Sequence, residues 1–190
     1  MTFVDLIAKA VDKFVPSAVE KAIKLHKAHQ QSEQKDSEKY FEDLFNVITE
    51  LSTNILSYIR NYLRKEYDIE TINLSPEELV ESFYSADGKT IFDRIQEYAK
   101  EKDLTSFTYK FYRCCRSETA GLMNRCIFNS LKDQFEYVTV RLSNECGDCD
   151  AGILSGWVKT SEVNLRDLPP FHPDCCCSVE FSNEKPKGRK

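Results

Sequence analysis

Near the end of the chain, two short clusters of metal-binding residue types are separated by 22 residues, and they constrain the fold more than any other feature. The first is Cys146-Gly147-Asp148-Cys149, and the second is His172-Pro173-Asp174-Cys175-Cys176-Cys177. Two residues between a pair of cysteines let both thiolates turn toward one ion, and Gly147 relaxes the backbone between them. His172 and Cys175 repeat that spacing. Zinc takes four thiolate or imidazole ligands in a tetrahedron. Cys146 and Cys149 supply one half, and His172 with a cysteine of the 175–177 run supplies the other. Cys175 and Cys177 compete for the last position, because in an extended segment they face one side and Cys176 the other. Four protein ligands close the coordination sphere, which marks a structural site, since a catalytic zinc keeps one position open. The expectation is one structural Zn2+ that stands in for a core this segment is too short to build.

The competing readings of the cysteines are weaker. A redox C-x2-C pair belongs in a βαβ context that the surrounding sequence does not offer. Eight cysteines in a chain with no secretory signal point to metal rather than disulfides. Asp5, Lys9, Asp12 and Lys13 interrupt any apolar leader, and no apolar run approaches the roughly 18 residues of a membrane span. The chain therefore reads as intracellular, or packaged inside something made in the cytoplasm. Cys114, Cys115 and Cys126 fall at helical core positions and read as packing residues.

Upstream, the pattern is helical. Phe3, Leu6, Ile7, Ala10, Val11, Phe14 and Val15 recur at three-four spacing. Pro16 is expected to break this pattern and start a second helix carrying Val19, Ala22, Ile23 and His26 on one side. Residues 38–66 carry the longest apolar stripe, from Tyr40 through Leu44, Ile48, Leu51, Ile55 and Ile59 to Leu63. Ser75-Pro76-Glu77-Glu78 is a helix start, and Ser85-Ala86-Asp87-Gly88 is a turn. A short helix over 91–98 and a long one over 105–134 follow. Then Tyr137 to Leu142 alternates and is β-branched, as a strand does, and Ser178 to Phe181 reads as a closing strand. The expected fold is α+β: a helical body over 1–135, a zinc-stabilised β module over 136–182, and a basic tail over 183–190. The tail carries Lys185, Lys187, Arg189 and Lys190 against Glu184, a charge of 4 − 1 = +3. It reads first as a solvated, disordered terminus and more sharply as a segment touching DNA or a partner. The whole chain, at −5, lacks the basic balance of a dedicated nucleic-acid binder.

Leu168-Pro169-Pro170-Phe171-His172-Pro173-Asp174-Cys175-Cys176-Cys177, together with Cys146-x2-Cys149, resembles the closing segment of the Mu-like minor head proteins of tailed phages. This family is also called head-morphogenesis proteins. Their segment typically runs Cys-x2-Cys, an Asp-Gly loop, then Pro-Pro-x-His-Pro-Asn-Cys-Arg-Cys. Arg116-Ser117-Glu118-Thr119-Ala120 matches their upstream Arg-Thr-Glu-x-Ala helix, about 30 residues before Cys146. The match covers residues 110–181. Asp174 stands where Asn is usual, Cys176 where Arg is usual, and Asp150-Ala151-Gly152 where the loop has Asp-Gly. The resemblance implies a minor virion protein in the capsid interior or near the portal, with portal and capsid proteins as partners. The basic tail suits contact with packaged DNA, and the long aromatic helices suit protein contact or an oligomer.

Other chemistry is thin. Arg116 and Glu118, two apart on a helix, face different neighbours and read as structural contacts to the cysteine module. His26 and His29 read as ordinary surface histidines. No Gly-rich phosphate loop, Gly-x-Ser-x-Gly elbow or His-Glu-x-x-His helix occurs, so the chain reads as non-enzymatic. A metal-dependent nuclease of the His-Asn-His type needs a general-base histidine besides its metal ligands. Only three histidines exist, two of them near the N-terminus. A cellular zinc-binding adaptor docking through helix 38–66 is the remaining alternative to a phage head component.

Overall fold

A computed structural model of the chain describes residues 2–32, 36–70, 89–143, 149, 151–171 and 174–185. Among them, four α-helices precede a small antiparallel sheet: α1 (Phe3–Gln31), α2 (Ser37–Tyr67), α3 (Ile91–Ala99) and α4 (Leu104–Leu131). The strands are β1 (Tyr137–Arg141), β2 (Val158–Lys159) and β3 (Ser178–Ser182), in the order β2-β1-β3. The class is α+β, as the change of period near residue 135 implies.

Each helix start is written locally. Thr2 and Asp5 form a reciprocal capping box on α1, at 3.2 and 3.0 Å, and Thr90 and Asp93 do the same on α3. Asp36 caps α2 through the Lys39 amide at 3.0 Å, and Asp103 caps α4 through that of Ser106 at 2.6 Å. The C-terminus of α2 closes with Asp68 in the left-handed region, which Asp tolerates better than most residues. The proposed helix start at Ser75 and turn at Ser85 lie outside the described residues.

The break expected at Pro16 does not occur: α1 runs through it. Pro16 lies on the exposed side, while Val15, Ala18, Val19 and Ala22 are buried on the other. The Asp12 carbonyl that loses its helical partner is therefore on the wet side, where water serves it. The apolar stripe against the core holds the two halves in one helix. In α2, the stripe from Tyr40 to Leu63 is buried as its spacing implies.

α1 and α2 both pack on α4, and α3 closes against α2 and α4. α4 is more than the one-sided helix its sequence suggests, because every residue from Glu118 to Phe128 is buried. It is the axis of the molecule. Phe107, Phe111, Leu122, Met123 and Ile127 on it are fully buried, and truncating one such side chain to alanine costs about 2–5 kcal/mol. β3 docks the sheet onto α1 and α4. Its register pairs Val138 with Phe181 and Val140 with Val179, so these four share one face. No helix among the described residues is long and apolar enough to cross a membrane.

His26 is not a surface residue. It is 1 % exposed, stacked on Phe107 with ring centroids 3.9 Å apart, and its Nδ1 lies 2.5 Å from Tyr40 Oη. Gln30 Nε2 reaches both His26 Nε2, at 2.9 Å, and the Lys102 carbonyl, at 2.7 Å. The carbonyl fixes the amide as a donor, so Nε2 accepts and the ring is neutral with its proton on Nδ1. Burial lowers the His26 pKa below the usual histidine value of about 6.5. The unfolded chain then takes up the proton first, so this contribution is intact above about pH 6.5 and is lost as the pH falls below it. Glu118, also buried, has a carboxyl pushed well above the usual range by desolvation, and its contribution runs the opposite way. The His26 part is therefore read as a difference. The stability gap between wild type and His26→Phe, measured by denaturant unfolding, should narrow between pH 7.5 and 5.5. A gap independent of pH contradicts the assignment.

Candidate metal centre

The strand period and the α4 surface together bring three thiols to one point. Cys149, Cys175 and Cys177 have sulfur atoms that all lie within 4.8 Å of one another. Cys149 Sγ is 3.8 Å from Cys175 Sγ and 3.4 Å from Cys177 Sγ. A zinc–thiolate bond of about 2.3 Å puts tetrahedral sulfurs roughly 3.8 Å apart. A disulfide would need about 2.05 Å. The two edges at Cys149 are close to the tetrahedral spacing, and the three residues could hold a metal ion. Cys175 and Cys177 are fully buried, with Val140 and Phe171 packed against them, and Cys149 is half-buried.

The sulfurs of both Cys175 and Cys177 reach the cluster. The segment 175–177 leads directly into β3 at Ser178, and its first and third side chains meet at the cluster. Cys176 points away, and its Sγ accepts a hydrogen bond from Arg116 Nη2 at 2.9 Å. Cys146 and His172 lie outside the described residues. Cys114, Cys115 and Cys126 are buried in the helical core, and burial pushes each of their thiols up, Cys126 to about 12. That is the character of inert packing thiols.

The cluster itself is electrically different. A hydrogen bond from the Cys177 thiol chiefly pulls Cys175 below the usual thiol range, with backbone amides and Cys149 assisting. The same bond, with burial, pushes Cys177 up. Three crowded sulfurs share protons, and the thiolate is the form that binds metal. The Ser143 amide donates to Cys177 Sγ at 3.4 Å, a contact of the kind that steadies a ligand sulfur.

Elements on either side hold the cluster. Downstream of Cys149, Gly152 takes a left-handed φ of +52° at the start of a 3-10 turn, Gly152–Ser155. Buried Leu154 accepts from Thr139 Oγ1 at 3.1 Å, which ties that turn to β1. On the other side, α4 grips the segment before β3. Arg113 Nε pairs with Asp174 Oδ2 at 2.5 Å, an ion pair whose N–H is not aligned on the oxygen. Ser117 Oγ accepts from the Asp174 amide at 3.0 Å. Arg116 and Glu118 bind different neighbours, as their spacing implies: Arg116 reaches the cysteine module at Cys176, whereas Glu118, expected there too, turns to α2 and accepts from Ser52 at 3.5 Å.

No protein-family model matches the chain, and neither does any curated protein or solved structure.

No sequence motif marks Asn124. It is fully buried, and it bonds the Cys177 carbonyl and the Val179 amide, each at 2.9 Å. The available signal is one asparagine inside the buried stretch 118–128. Such a residue needs partners, and the helix backbone does not supply enough of them.

Metal content after purification without chelator tests the cluster. The expected result is one metal ion per chain, lost in Cys149→Ser, Cys175→Ser and Cys177→Ser and retained in Cys176→Ser and Cys126→Ala. Retention in all five variants, or loss in Cys176→Ser alone, would contradict it.

Proposed function

We propose that this chain is a non-enzymatic minor structural protein of a phage or prophage head, with a module closed by one structural zinc. Cys149, Cys175 and Cys177 take three positions of the tetrahedron, and the fourth falls to Cys146 or His172. Zinc suits the set because borderline-soft Zn2+ favours thiolate and imidazole, and four protein ligands leave no open position for chemistry. The observation that carries the reading is the convergence of the three thiols at tetrahedral spacing.

The head-protein part rests on the resemblance, and the contacts support it in two ways. The two stretches that carry the resemblance, 116–120 and 168–177, meet: Ser117 holds Asp174, and Arg116 holds Cys176. Asp174, which replaces the usual Asn, has φ +71°, and Asn and Asp are the residues that best tolerate that conformation. The substitution therefore keeps the backbone turn before the cysteines. The partners proposed are portal and capsid proteins, with packaged DNA reached through the basic tail, and the place is the capsid interior or portal region.

Heads purified from the phage or prophage that encodes the chain should contain it at low copy number by mass spectrometry. Chelation of those heads or of the free chain should release one zinc per chain and deprotect the β1 and β3 amides before those of α1 and α2. Absence of the chain from purified heads, with its recovery on a host protein instead, would favour a cellular adaptor.

A further inference from the structure

The thiol cluster needs its cysteines aimed, and one side chain outside the cluster has the geometry to aim them. Asn124 is 0 % exposed in the middle of α4, and every hydrogen-bonding group of its amide is used. Nδ2 donates to the Ala120 carbonyl and to the Cys177 carbonyl, both at 2.9 Å. Oδ1 accepts from the Val179 amide at 2.9 Å. The two carbonyls fix the orientation, because a flipped amide would set its oxygen against both of them. The Cys177 C=O and the Val179 N–H point to the same side of an extended chain. The amide therefore bonds that edge as a neighbouring strand would, one residue on either side of Ser178. With both groups pinned, the Cys177 Cα–Cβ bond has one direction. That direction carries the sulfur to 3.4 Å from Cys149 and to 3.4 Å from the Ser143 amide.

We propose that Asn124 is a positioning residue of the metal site: from the core helix it holds the backbone on both sides of Ser178 and so orients Cys177 as a ligand. The proposal rests on the reading of the thiol cluster as a metal centre. Arg113 and Ser117 act at the other end of the same segment, on Asp174. Residues 113, 117 and 124 lie at i, i+4 and i+11, one face of the helix, so a single stripe of α4 grips residues 174–179. A leucine at 124 would fill the space and leave both backbone groups buried without partners. The site is then preorganised on its Cys175–Cys177 side, because the grip needs no ion.

The test uses the full chain and Co2+, whose absorption reports thiolate ligation directly. Metal-free wild type is titrated beside Asn124→Ala, Asn124→Leu and Ile127→Val, with the exchange rate of the Val179 amide measured in each. Ile127 is fully buried on the same helix and controls for loss of packing. The expected result is cobalt binding weakened about tenfold or more in both Asn124 variants, the effect typical of groups that orient a ligand. Their thiolate-to-cobalt band should change shape, and Val179 should exchange faster. Ile127→Val should keep the wild-type affinity and spectrum. If the Leu variant fails to fold, the Ala variant decides. Asn124 variants that bind cobalt like wild type, with Val179 still protected, overturn the positioning role while leaving the metal reading intact. A wild-type chain that takes up no cobalt overturns the metal reading, and this role with it.

Discussion

A helix buried on all sides leaves its polar side chains no water, so each must find a partner in the protein. From Glu118 to Phe128, α4 is in that position, and much of the architecture follows from how it is resolved. Leu122, Met123 and Ile127 go to the core shared with α1 and α2. Glu118 reaches Ser52 on α2. Asn124 and the more peripheral Ser117 and Arg113 turn to the segment before β3. The same helix therefore organises the body and presents the module, and the two are joined by polar contacts as well as by the apolar face of the sheet.

The module's own sheet is small. Its sheet has three strands, one of only two residues, and much of the rest is 3-10 turn. Val138, Leu154, Leu168 and Val179 belong to the same apolar core as the helices, so the sheet is held by its packing on α1 and α4. The sulfur spacings of 3.4 and 3.8 Å fit metal and not a disulfide. Where such a cluster holds a structural zinc, the ion contributes on the order of 10 kcal/mol to folding.

The sequence displays the helices, strands β1 and β3 and the cysteine clusters plainly, because each is a local pattern. Tyr40 to Leu63 keeps one period, and Tyr137 to Arg141 keeps the other. What it hides is non-local. Pro16 reads as a stop, yet it lies on the wet side of a helix held by its buried side. His26 reads as a surface residue, yet Phe107, far along the chain, stacks on it. Spacing alone sets Cys175 against Cys177, whereas the turn at Asp174 and the grip of Asn124 bring both sulfurs in. Asn124 looks like a defect in an apolar run until its partners, Cys177 and Val179, are seen beyond the next strand.

X-ray absorption at the zinc edge, on protein purified without chelator, tests the central claim most directly. The account predicts one zinc bound by three or four sulfurs at about 2.3 Å, with a nitrogen completing the shell if only three are found. Four sulfurs would assign the last position to Cys146, and three with a nitrogen to His172. A shell of oxygen and nitrogen with fewer than three sulfurs, or protein that carries no zinc, would contradict it.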